Sequence, residues 1–100
     1  MATAKAEKKA AKPDYIAIGD GFIDVTLAKG FMIAGASVMV ARMREPTVGD
    51  QKKLAKMKGD DVENESAFIA DLIMVSPADM DRLTIRDNQR LSTAFQYFLD

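Results

Sequence analysis

The hydrophobic period of this chain changes at Glu45-Pro46, and the change limits what the chain can become. Upstream, Ile23, Val25 and Leu27 alternate with Asp24 and Thr26, the pattern of a strand with one wet face. Downstream, Phe68, Ile69, Leu72, Ile73 and Val75 recur at helical spacing. Pro46 lacks a ladder donor and holds Glu45 extended, so a strand ends there. Strands first and helices second predict an α+β domain: a small N-terminal antiparallel sheet of two to three strands, then three to four short helices.

Residues 15–18 form a short extended segment stopped by the turn signal Gly19-Asp20-Gly21. Residues 22–27 and 31–34 read as strand, interrupted at Lys29-Gly30, with a turn at Gly35-Ala36 before a last strand over 37–44. Thr47 and Asp50 make a variant capping box for a helix from about residue 48 to 57, and Gly49 is expected to let that helix approach the sheet. Asp60 or Asp61 caps a second helix. Ser76-Pro77-Ala78-Asp79 starts a short third one that ends by Leu83. A last helix starts over 84–87 and places Leu91, Phe95, Phe98 and Leu99 on one face.

A chain of 100 residues suits one domain, here residues 14–100 behind a disordered basic tail over 1–13. Lys5, Lys8, Lys9 and Lys12 face only Glu7 in the first twelve residues, so this stretch is basic and the body is acidic within a total of −1. An acidic body is a poor match for nucleic-acid phosphates. Cysteine and histidine are both absent, which excludes disulfides, thiolate metal sites, cysteine nucleophiles and the usual histidine triads. The longest apolar stretch, 31–41, is broken by Gly35 and Ser37, too short to cross a bilayer, and too far into the chain for an export signal. No membrane partner and a cytoplasmic location are expected.

Other constellations favour structural explanations. Asp60, Asp61, Glu63 and Glu65 lack the spacing of a calcium loop and read as a solvated helix start. Gly19-Asp20-Gly21 lacks the rest of a phosphate loop. Asp20 with Asp24, or Glu45 with Asp50, could be an acid–base pair only if a pocket held them. Arg82, Arg86 and Arg90 suggest a helix-turn-helix, but Asp71, Asp79, Asp81 and Asp87 cancel their field. No catalytic, cofactor or metal site is expected, and no enzyme.

Methionine is more informative, with seven in the chain. It fills irregular core gaps and serves surfaces that accept varied partners. On a strand, Val38 and Val40 point one way and Met39, Ala41 and Met43 the other. If helices cover one face of the sheet, one row stays open to a partner. Met39 and Met43, with Arg42 and Arg44 beside them, are the candidate partner-binding residues.

The run Val40-Ala41-Arg42-Met43-Arg44-Glu45-Pro46-Thr47-Val48-Gly49-Asp50 resembles the central signature of the Mu-like phage tail assembly chaperone family. Its junction residues are Arg44, Glu45, Pro46, Thr47, Gly49 and Asp50. Val25-Thr26-Leu27-Ala28-Lys29 upstream, and Phe68-Ile69-Ala70-Asp71-Leu72-Ile73, the Pro77 turn and Tyr97-Phe98-Leu99 downstream, match in order, so the likeness spans about residues 22–99. Lys29-Gly30 stands where the pattern has Lys-Pro, and the tail is longer and more basic than the pattern requires. The resemblance implies a non-catalytic chaperone of the host bacterial cytoplasm. It would bind the tape-measure protein, keep it soluble and help recruit tail-tube protein. The competing reading is a structural tail protein retained in the virion. Oligomeric state is not legible.

Overall fold

Alternation through residues 22–44 produces a hairpin, and the hairpin organises everything else. In the computed structural model, which describes residues 12–99, three strands lie in the order β1-β2-β3, all antiparallel: β1 (Ile16–Ile18), β2 (Phe22–Ile33) and β3 (Ala36–Arg44). Four helices follow among the described residues: α1 (Val48–Lys56), α2 (Asp61–Leu72), α3 (Pro77–Met80) and α4 (Ile85–Gln96). The fold is α+β, as the sequence predicts. Most of the expected basic tail, residues 1–11, lies outside the described residues.

Each helix starts where a short polar side chain satisfies an N–H group that the helix itself leaves unbonded. Thr47, Asp60, Ser76 and Thr84 are the four N-caps, accepting from the N–H groups of Asp50, Val62, Asp79 and Asp87. Thr47 and Asp50 form the full reciprocal box. Asp60, not Asp61, caps α2.

The helices cover one face of the sheet. Ile23, Val25 and Leu27 of β2, Ala41 and Met43 of β3 and Ile16 of β1 are buried with Phe68, Ile69 and Leu72 of α2 and Leu91 and Ala94 of α4. Phe68 and Phe95 meet edge to face, ring centroids 5.5 Å apart, a favoured geometry for aromatic rings. Leu99, expected on the apolar face of the last helix, lies beyond the end of α4 and is exposed.

The predicted break at Lys29-Gly30 does not end the strand. β2 runs through it as one strand of 12 residues with a bulge. Thr26 pairs with Val40 and Phe31 with Val38, so Leu27, Ala28, Lys29 and Gly30 stand against Met39 alone. One side chain 57 to 59 residues away compensates for the lost ladder: the Asp87 carboxylate accepts the N–H groups of Ala28 (2.6 Å), Lys29 (3.1 Å) and Gly30 (2.9 Å). Gly30 has φ +77°, and a Cβ there would collide with the Val38 carbonyl oxygen and the Met39 sulfur. Beyond the bulge, Ala34 and Gly35 both take positive φ (51° and 82°), the twist that matches a two-residue hairpin loop to its strands. The turn is therefore Ala34-Gly35, one residue earlier than expected.

Candidate functional site

The strand-to-helix junction is an ion-paired corner. Arg44, at the end of β3, donates from Nη1 to Asp50 Oδ2 (2.7 Å) and from Nη2 to Asp50 Oδ1 (3.0 Å) and Asp71 Oδ2 (2.9 Å). Asp50 also accepts the Thr47 N–H at 2.8 Å. One guanidinium thus ties the last strand to the starts of α1 and the end of α2. The paired guanidinium, then the Thr47 N–H, hold the Asp50 carboxyl well below the usual carboxylate range despite its burial. Glu45, Thr47 and Gly49 are exposed, and Pro46 is half-buried. The expected close approach at Gly49 is absent: a Cβ there would meet only the Thr47 hydroxyl, at 3.5 Å.

The face of the sheet that no helix covers among the described residues is built from the other parity of the strands. Asp24 and Arg42 are cross-strand partners, and the Arg42 Nε and Nη2 donate to the two Asp24 oxygens at 2.8 and 3.0 Å. The same guanidinium lies 3.9 Å from the centroid of the Phe22 ring. A strong hydrogen bond from Arg42 holds the Asp24 carboxyl below its ordinary range. One member of each carboxylate pair considered for acid–base work, Asp24 of Asp20/Asp24 and Asp50 of Glu45/Asp50, is thus committed to an arginine.

Next to these residues runs an apolar groove of about 420 Å³. Phe31, Val38 and Val40 line its sheet side, and Ile73, Met74 and Val75, which follow α2, line the other. The far wall is a helix-ending motif: Met74 N–H donates to Asp71 O (3.2 Å) and Val75 N–H to Ala70 O (2.9 Å). That motif needs a left-handed residue, usually glycine, at the position Met74 fills with φ 63°. Its side chain is 83% exposed.

The sequence reading placed the open row on Met39 and Met43, and this is corrected. Met43 is completely buried and Ala41 nearly so, because the helices pack on the face that carries Ile23 and Val25. Met39 is 43% exposed at the bulge. The open row is Val40, 52% exposed, with Arg42. Alternation correctly split the two rows, but the identity of the covered face depends on helices that pack from far along the chain.

In the sequence Asp87 is one charge among several, and its role as the tie to the bulge is not legible there. Thr84-x-x-Asp87 signals only a helix start, and nothing local marks the strand N–H groups that Asp87 meets. Arg90 is similarly committed: it donates to Thr26 O at 2.8 Å and lies over the Tyr15 ring. Arg82 reaches Met32 O at 3.5 Å. Two of the three arginines of the helix-turn-helix reading thus bind the sheet.

The family model described as "Phage tail assembly chaperone proteins, E, or 41 or 14" matches residues 24–100, which include the groove, the junction and Asp87. No curated protein and no solved structure matches the chain.

Proposed function

The chain belongs to the phage tail assembly chaperone family, and from that premise we propose that it binds the tape-measure protein, keeps it soluble and promotes assembly of the tail tube around it, without catalysis, in the host cytoplasm. The observation that supports this reading is the β3 side of the sheet, where Val40 and, across an apolar groove, Met74 in the segment after α2 stand exposed. A long assembly intermediate exposes apolar segments before its tube encloses them. Shielding such segments needs adaptable contact area, and methionine and valine supply it without a shaped pocket. Binding only the soluble form raises its population by mass action. No helix among the described residues is long and apolar enough to cross a membrane.

Co-expression with the tape-measure protein of the same phage, followed by pull-down and a sedimentation assay, tests the proposal. A complex that raises the soluble fraction of tape-measure protein is the expected result. Failure to form a complex, with the chain present in purified particles, would overturn it in favour of a structural tail protein.

A further inference from the structure

The ladder between β2 and β3 reveals which backbone groups of β3 have no partner. Glu45 N–H donates to Gly21 O at 3.1 Å, and the register then makes Ile23/Met43 and Val25/Ala41 the hydrogen-bonded pairs. The alternate pairs, Phe22/Arg44, Asp24/Arg42 and Thr26/Val40, turn their backbone groups away from each other. On the β2 side these groups meet β1: Thr26 N–H donates to Tyr15 O and Gly19 N–H to Phe22 O. On the β3 side nothing among the described residues receives them. β3 is the last strand of the sheet, and no hydrogen bond among the described residues engages the backbone of Val40 or Arg42 on that side.

We propose that the outer edge of β3 is a strand-addition site, with the groove walled by Ile73, Met74 and Val75 beside it, for an extended apolar segment of the bound tail protein that carries an acidic residue. The proposal rests on the functional reading above and specifies how the partner is held. Main-chain bonds to Val40 and Arg42 would give affinity, and alternate apolar side chains would enter the groove. Natural edges are usually blunted by outward-pointing charge or proline. Here proline is absent from β3, and the Arg42 guanidinium is folded back onto Asp24 and Phe22.

Charge decides between occupants. β3 carries no carboxylate; its Arg44 is bound by Asp50 and Asp71, while its Arg42, directly opposite Asp24 of β2, remains largely exposed. A second copy of β3 paired antiparallel through all three outward residues would set Arg42 against Arg42. Like charges directly opposite destabilise a strand pair. An acidic partner residue instead supplies an acceptor to Arg42 Nη1, which has none among the described residues while Nε and Nη2 hold Asp24. Met74 adds a second argument, since an exposed methionine occupies a backbone position that favours glycine.

Residue-resolved amide exchange of this protein, alone and with the co-expressed tape-measure protein, tests the proposal. Strand addition slows exchange at Val40 and Arg42 by about tenfold or more, because fast edge amides become bonded ones. A complex in which these two amides exchange as fast as in the free protein overturns strand addition while leaving the functional reading intact. Absence of any complex overturns both. Val40→Pro removes an outward N–H without breaking the bonds to β2 and is expected to weaken the complex at least about tenfold. Equal binding by a folded Val40→Pro would also overturn the proposal, and if that variant does not fold, the exchange result decides alone.

Discussion

Asp87 lies with one carboxylate oxygen 2.6 Å from the N–H of Ala28, a residue 59 positions earlier, and its other oxygen serves Lys29 and Gly30. A completely buried carboxylate thus replaces the strand neighbour that the bulge removes. Burial alone would push this carboxyl up. The N–H groups of Ala28, Gly30 and Lys29 outweigh burial and bring it below its ordinary value. Helix α4 is therefore fastened to the hairpin at the point where the hairpin is irregular.

Asp87→Ala should be the most disruptive polar substitution. It removes the acceptor of three N–H groups, of which the buried Gly30 N–H is left without a partner while those of Ala28 and Lys29 lie nearer solvent, a cost on the order of 2–3 kcal/mol. Urea denaturation should show a matching fall in midpoint. Asp87→Asn, which keeps an acceptor but loses the charge, should fall between the two.

Acid should weaken the fold through Asp50 and Asp87. Both carboxyls are held below their ordinary value of 3.8, so their contribution to stability is complete above that pH. It is lost as pH falls below 3.8 towards the folded-state values. Denaturation at a series of pH values should show stability dropping through this range, and Asp50→Asn should show a shallower drop.

Gly49→Ala should stabilise the protein. Gly49 lies in the first turn of α1 in ordinary helical backbone, with space for a methyl group. The gain in helix propensity is about 0.5–1 kcal/mol, readable as a higher Tm.

Met74→Gly should separate stability from function. Glycine relieves a left-handed φ by about 1 kcal/mol and removes little packing, so the variant should melt higher. The same variant should retain less tape-measure protein in the pull-down, because the exposed side chain on the far wall of the groove is lost while Ile73 and Val75 remain.

Much of this architecture was legible because it depends on neighbours in sequence. Strand alternation is set by geometry that repeats every two residues, and the four caps are chemistry between residues two or three apart. Thr47 with Asp50, Ser76 before Pro77 and Thr84 before Asp87 could be read directly. The junction run from Val40 to Asp50 also points to the family by its residues alone.

What the chain could not reveal by itself depends on long-range contact. Alternation divides β3 into two rows, yet only the packing of α2 and α4 decides that Met43 is core and Val40 is surface. Lys29-Gly30 is a breaker by composition, and it became a bulge within a continuous strand because Asp87 satisfies its N–H groups. The open edge of β3 is a property of sheet order, which no local pattern encodes. Sequence determined which segments form strands and helices, through hydrogen bonds and periods that close within a few residues. Tertiary structure decided which surfaces remain for a partner, because burial is a relation between segments distant along the chain.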